Sequence, residues 1–311
     1  MNDMSTDHLD TIRAARAYLL GVAEPPAPAL NAFIDTHGPV VAAQRIAARD
    51  APTPVLDITS ARHSVNGDDD IAAMAGIGAR LVIPEDAEWP DAQLRPLTTC
   101  APSLRCPGTP IALWVRGPAN LAEVLQRAVT ITGARAATGY GEYVASDFAY
   151  SLAEHGHTIV SGASFGIDGA AHRGALNAEG TTIAVVACGI DVPYPAGHQR
   201  LLGNIAERGA VVSEYPPRSH PTRHRFLVRS RLLAASGAAT VIVEAGIRSG
   251  SKLIAATAAQ LGKPALAVPG PITSVVSVGC HSLMREGMAT PVTTVEEILA
   301  AITPDGQGAP R

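Results

Sequence analysis

The amino-acid sequence predicts an α/β fold: a doubly wound, mostly parallel sheet preceded by a small helical module. Three observations carry this reading. From about residue 124 onward, short runs of Val, Ile and Ala alternate with stretches of helical length. The runs are nearly continuous in apolar residues rather than alternating, as strands buried on both faces require. The stretches between them are about ten to fifteen residues long, which suits crossover helices between parallel strands and not hairpin turns.

Taken in order, the N-terminal region places Ala14, Ala15, Tyr18 and Leu19, and then Val41, Ala42 and Ile46, at helical spacing. Short helices are expected over residues 10–50. Residues 51–70 are polar and rich in Asp and read as a linker. Residues 71–123 read as a lead-in without chemistry, with several prolines and one strand-like run, Ile111 to Val115. The predicted strands then follow: Val129 to Thr132, Thr158 to Ser161, Thr182 to Ala187, Ala210 to Ser213, Thr240 to Val243, and Ala265 to Val268. A last helix is expected over Val295 to Ile302. The organisation is thus a helical module with its linker (1–70), a lead-in (71–123), the doubly wound unit (124–303) and a C-terminal tail (304–311).

Composition narrows the function classes. With 311 residues and 47% hydrophobic content, the chain can bury a real core. No apolar run approaches the roughly 20 residues needed to span a bilayer. The opening MNDMSTDHLD lacks the basic and apolar regions of a signal peptide, so a cytoplasmic protein without membrane contact is expected. Cys100, Cys106, Cys188 and Cys280 are scattered, and the first two fit no common zinc spacing. Free thiols are expected, with no metal and no cofactor. The net charge of -4 does not favour nucleic acid, so the distribution of charge must decide. Of 24 basic residues only Lys252 and Lys263 are lysines, a compositional bias that is not a functional signal by itself.

Ligands of such sheets bind beyond the carboxyl ends of the strands, so the residues after each strand are the candidate site. After the first comes Gly133-Ala134-Arg135-Ala136-Ala137-Thr138-Gly139-Tyr140-Gly141. This is not the dinucleotide fingerprint, and no acidic residue closes the second strand to hold a ribose. It is either an ordinary strand–helix turn or a phosphate site; Arg135 beside a helix N-terminus favours the phosphate. After the second strand, Ser161-Gly162 opens a tight loop that leads to Asp168 and His172, one helical turn apart. A helix cap is the simpler role for Asp168, since no third catalytic partner is evident. Cys188 to Pro195 and Ser213 to Pro217 read as structural Pro-rich turns.

The segment from Arg218 to Arg231 holds five arginines and two histidines, and no acid occurs between Glu214 and Glu244. Phe226, one of four phenylalanines, lies inside it. Cations for phosphates together with a ring for a base suit sequence-tolerant binding of a single strand. The alternative is a solvated basic loop with Phe226 anchoring a helix. Gly250 and Ser251 open a further helix after the fifth strand, and the adjacent Cys280 and His281 make neither a metal site nor a dyad.

In their order these motifs resemble the DNA-processing protein A family, DprA/Smf. Gly133-Ala134-Arg135 is similar to its G-S-R, and Ser161 to His172 to its S-G-x-A-x-G-I-D-x-x-A-H. Cys188 to Pro195 is similar to G-x-D-x-x-Y-P, Ser213 to Pro217 to S-E-Y-P-P, and Phe226 to Arg231 to F-P-x-R-N-R. Ser249 to Ser251, Val268-Pro269-Gly270 and Gly279-Cys280 follow. The motifs span roughly residues 128–290; each is weak alone and their series is specific.

The resemblance implies a Rossmann-like fold and a homodimer that binds single-stranded DNA, protects incoming strands during natural transformation and helps load the RecA recombinase, without enzymatic activity. It implies that Gly133, Arg135, Ser161 and Gly162 hold backbone phosphate and that Arg223, Phe226, Arg229 and Arg231 line the strand's path. Departures fall at Phe165 and Ala256, where basic residues are common, and at Leu227, Ser230, Lys252 and His281. Two other readings are a protein-interaction module that has lost DNA binding and a phosphoribohydrolase-like nucleotide-processing enzyme. The latter's P-G-G-x-G-T-x-x-E is replaced here by Ala245 to Ser251, with no such glutamate.

Overall fold

The computed structural model describes residues 3–62, 64–99 and 108–303. Cys100, Cys106 and the tail 304–311 lie outside the described residues. Nine strands form one sheet: β1 (Ala79–Val82), β2 (Leu113–Arg116), β3 (Ala128–Thr132), β4 (Thr158–Ser161), β5 (Thr182–Val186), β6 (Ala210–Ser213), β7 (Ala239–Ile242), β8 (Ala265–Ala267) and β9 (Thr290–Pro291). Their spatial order is β1-β2-β6-β5-β4-β3-β7-β8-β9. The pairs β1–β2 and β2–β6 are antiparallel and the others parallel. The six strands expected from the apolar runs are β3 to β8.

The helices are α1 (Asp3–Val22), α2 (Pro28–His37), α3 (Pro39–Ala47), α4 (Thr53–Thr59), α5 (Gly67–Ala75), the single turns α6 (Asp91–Leu94), α7 (Pro96–Thr99) and α8 (Leu121–Val124), then α9 (Gly139–Glu154), α10 (Ile167–Asn177), α11 (Gln199–Arg208), α12 (Arg223–Ser236), α13 (Ser251–Gln260), α14 (Val278–Arg285) and α15 (Val295–Ile302). Both faces of the sheet are covered, which explains the continuous apolar runs. On one face Val129 and Ile131 of β3 pack with Phe148 and Leu152 of α9, Ile167 of α10 and Ile298 of α15. On the other, Val160, Ile183 and Val185 pack with Leu232 and Leu233 of α12 and Ile254 of α13. Each such side chain contributes roughly 1.5–3 kcal/mol on burial.

The N-terminal helices are not a detached unit. Leu19, Leu20, Leu30, Phe33 and Ile46 share a core with Trp114 of β2, Val186 of β5, and Leu202 and Ile205 of α11. The segment 51–70, expected as a linker, contains α4 and the start of α5. Asp68, Asp69 and Asp70 are the acidic first turn of α5, whose N-cap Asn66 accepts from the Asp68 amide. Carboxylates there complement the helix dipole, so an Asp-rich stretch marks a helix start as readily as a linker. The lead-in 71–123 supplies β1 and β2, which extend the sheet past β6. β2 is the strand-like run expected at Ile111 to Val115, whereas β1, four residues long and carrying Arg80, has too little pattern to announce a sheet strand.

Candidate functional site

From β3 the chain moves outward through β4, β5 and β6, then returns to the other side of β3 for β7 and β8. This reversal opens a crevice at the carboxyl ends of β3 and β7, the place where open α/β sheets take ligands. A cleft of about 290 Å3 lies there, lined among others by Gly133, Arg135, Phe226, Arg229, Ser249 and Ser251.

The loop after β3 is tied down from two sides. The Ala134 amide donates to Glu244 O at 2.7 Å. Thr138, which caps α9, donates its amide and hydroxyl to the Glu244 carboxylate at 2.9 and 2.5 Å. From the β4 side, Gly166 has φ +71°, and a Cβ there would stand 2.4 Å from Ala134 O. Only glycine permits this approach. Thus held, Arg135 projects into the cleft with its guanidinium 4.3 Å from the centre of the Phe226 ring.

Phe226 occupies the first turn of α12, which Thr222 caps by accepting from the Arg225 amide. Its ring is half-buried, tilted against Tyr194 at 5.7 Å, with the Arg229 guanidinium 5.6 Å from its centre. Arg229 is buried, and its Nη1 donates to Gly162 O at 2.9 Å and Val185 O at 2.7 Å. Its Nε is buried without a hydrogen-bond partner. Burial pulls its pKa below the ordinary arginine value, with Asp168 nearby opposing.

Beneath the cleft is a closed polar layer. Asp168 accepts from Thr132 Oγ1 at 2.7 Å, Ser164 Oγ at 2.6 Å and the Ser164 amide at 3.2 Å. Its carboxylate is occupied by structural donors, in keeping with a cap-like role. His172 is fully buried. Thr182 Oγ1 gives its proton to Ile159 O at 2.9 Å, so it must accept from His172 Nδ1 at 2.7 Å. The Nε2 lone pair then has no partner. Burial lowers the His172 pKa to about 4, so the ring is neutral at physiological pH. Burial also pushes the Cys188 thiol up to about 11 and Cys280 to about 12, so neither is a thiolate near neutrality. Among the described residues no group of three or more His, Cys, Asp or Glu could hold a metal, and no helix is long and apolar enough to cross a membrane.

The structure thus brings Gly133, Arg135, Phe226 and Arg229 together and places the other candidates elsewhere. The Ser161 hydroxyl is buried and donates to Ile131 O at 2.6 Å. Gly162 lies behind Arg229, and a Cβ there would stand 2.2 Å from Arg229 Nη1. Arg231 is 2% exposed and forms a bidentate pair with Glu214 at 2.7 and 2.5 Å. The side chains of Ser161 and Arg231 are thus engaged within the protein, and the Gly162 carbonyl accepts from Arg229, behind the cleft rather than in its lining. Arg223 begins α12 and is exposed, outside the cleft lining. Asp168, Ser249 and Ser251, not counted among the sequence candidates, line the cleft; the strand-end position of Asp168 and the helix-opening position of Ser251 were the available signals.

The basic segment is also less basic than its sequence suggests. Arg218 Nη2 contacts Asp70 Oδ1 at 2.7 Å, and Arg225 holds Glu24 through Nε at 2.6 Å and Nη2 at 2.9 Å. The fold delivers from afar the acids that the local sequence lacks.

Fold and site define a Rossmann-like protein whose switch-point cleft presents cations and an aromatic ring in place of a dinucleotide fingerprint. Residues 80–303 match the model of the DNA recombination-mediator protein A family, and the chain belongs to that family. The DNA processing protein DprA of Mycobacterium tuberculosis is 47% identical over 94% of this chain and 75% of its own length. Protein Smf of Escherichia coli is 38% identical over 70% of this chain and 55% of its own. The crystal structure of DprA from Streptococcus pneumoniae superposes with a TM-score of 0.75 at 26% identity, covering 93% of this chain and 97% of that one. DNA processing protein A from Helicobacter pylori, described by its single-stranded DNA binding mode, gives 0.56 at 29% identity over 62% of this chain and 86% of that one.

Proposed function

We propose that the protein binds single-stranded DNA in the switch-point cleft and acts in DNA processing and natural transformation. In this reading it is a cytoplasmic homodimer that protects incoming strands and helps load the RecA recombinase, and it does not cut DNA. The observation that carries the reading is the pairing of Arg135 with Phe226 at the carboxyl end of β3. A guanidinium and a ring face meet there, the two groups a phosphate and a base require. Gly133 lets the loop lie against Glu244, where a Cβ would stand 2.7 Å from the Glu244 backbone oxygen, and Arg229 keeps a buried donor beside the ring. Arg223 extends the cationic path along the outside of α12. Ser161, Gly162 and Arg231 support the site from behind. The strand bearing the site is part of a sheet that starts at residue 79 and shares a core with the N-terminal helices. The absence of catalysis is inferred from Asp168, whose carboxylate already accepts from Thr132 and Ser164, and from His172, which is fully buried on Thr182 and is not part of the cleft lining.

The test is a binding titration with single-stranded and duplex DNA over a range of salt. Single strands should bind more tightly, with little sequence preference, and log K should fall with log salt by about 0.7 per phosphate neutralised. A salt-independent constant overturns the reading. Incubation with DNA or nucleoside monophosphates, with and without divalent metal, should release no product. Turnover that vanishes on changing a strand-end residue would instead support the phosphoribohydrolase-like enzyme.

A further inference from the structure

A second groove, of about 410 Å3, lies on the other side of the start of α12. One wall comes from the helical module, through Arg62 and Asp70, and the other from the segment entering α12, through Arg218, His220 and Arg225. The two hollows share one helical turn. Phe226 lines the first and Arg225 the second, and neighbouring residues on a helix point about 100° apart. A chain leaving the cleft therefore reaches the groove by crossing the N-terminus of α12, over roughly the 10–12 Å width of a helix.

The groove has cationic capacity to spare. Arg225 is spent: it gives Nε and Nη2 to Glu24 and Nη1 to His220 O at 2.8 Å. Among the described residues Arg62 gives Nη2 alone, to the same Glu24 at 2.9 Å, and its side chain stays 40% exposed. Among them Arg218 likewise gives its guanidinium only through Nη2, to Asp70, and stays 73% exposed. Three guanidinium groups thus meet Glu24 and Asp70, with Asp191 and Asp69 close by, and Arg62 and Arg218 keep N–H groups that these carboxylates do not take up among the described residues, beside the positive end of a 14-residue helix. The Arg218 backbone is held at φ +63°, where a non-glycine residue is strained, by the Asp191 carboxylate accepting from its amide at 2.9 and 3.0 Å. That strained turn aims the side chain across the groove.

We propose that this groove is a second phosphodiester subsite for the strand held in the switch-point cleft, with Arg218 and Arg62 as its ligands. Asp70 holds Arg218 until a phosphate takes its place. The inference rests on the single-stranded DNA reading above, and its test separates the two.

Binding is measured with oligonucleotides of about six and about sixteen nucleotides, the shorter filling the cleft alone. Arg218→Ala should weaken the longer by about fivefold, the size of an exposed ion pair, and leave the shorter unchanged. Its salt slope for the longer should fall by about 0.7. Asp70→Asn should tighten the longer oligonucleotide, because it removes the carboxylate that competes for Arg218. If the Arg218–Asp70 pair only docks the helical module, both variants break the same pair and move affinity in the same direction at both lengths; that outcome overturns the subsite. Competition by inorganic phosphate that is equal for both lengths also overturns it, by showing an isolated anion site. Failure of the parent protein to bind either oligonucleotide overturns the functional reading itself.

Discussion

The loop after β3 and the segment that enters α12 meet at one ring, Phe226, and use their arginines in opposite ways. The loop has a single arginine, Arg135, which is exposed and stacked on the ring. The segment from Arg218 to Arg231 has five, of which Arg218, Arg225 and Arg231 are paired with Asp70, Glu24 and Glu214, and Arg229 is buried against two carbonyl oxygens. Arg223 is exposed and Arg218 stays 73% exposed, so a count of charge along the sequence overstates the segment's accessible charge without reversing the order of the two regions. What a phosphate meets is accessible charge, and accessibility depends on which carboxylates the fold brings near.

The sharpest way to break this comparison is Arg231→Ala. Removing one member of a buried pair leaves the Glu214 carboxylate uncompensated, which costs about 3–5 kcal/mol. Chemical denaturation should show that loss, while the folded fraction binds DNA as the parent does. Equal stability with weaker binding would return Arg231 to the strand's path.

A second effect concerns the polar layer under the cleft. The folded protein depresses the His172 pKa from 6.5 to about 4, so below pH 6.5 the unfolded chain binds the proton more readily. The contribution is fully present above pH 6.5 and is lost as pH falls to about 4, for a total of about 3 kcal/mol. Denaturation curves across that window should fall more steeply for the parent than for His172→Gln. Parallel curves would mean that the ring is not held neutral.

Phe226→Ala should weaken single-strand binding by about 1–3 kcal/mol and leave the salt slope nearly unchanged, since a stacked ring neutralises no phosphate. A steep fall in melting temperature, with binding intact, would make the ring a packing anchor for α12. The smallest expected change is Arg135→Ala. It should make the salt slope shallower by about 0.7 and leave the melting temperature in place, as expected of an exposed side chain. Binding like the parent at every salt concentration would remove the phosphate role from the loop after β3.

The strands β3 to β8 and their order along the chain were legible because parallel strands covered on both faces leave an unmistakable run of Val, Ile and Ala. The strand ends were legible for the same reason, and with them Gly133, Arg135 and Phe226 as neighbours of the site. β2 was legible as the strand-like run Ile111 to Val115, though not its place in the sheet; β1 and β9 were not, because two to four residues carry too little pattern. Nor was α5, whose opening aspartates look like linker until they are seen on a helix N-terminus.

By itself, then, the sequence determined the class of fold, the positions of the six parallel strands and the loops that surround the crevice, because these follow from local periodicity and from glycine and proline at turns. The tertiary structure alone decided which cations remain available. Glu24 meets Arg225 across 201 positions of sequence and Asp70 meets Arg218 across 148. The energy of a charge depends on its neighbours within a few ångströms, and no local pattern encodes a neighbour so far along the chain.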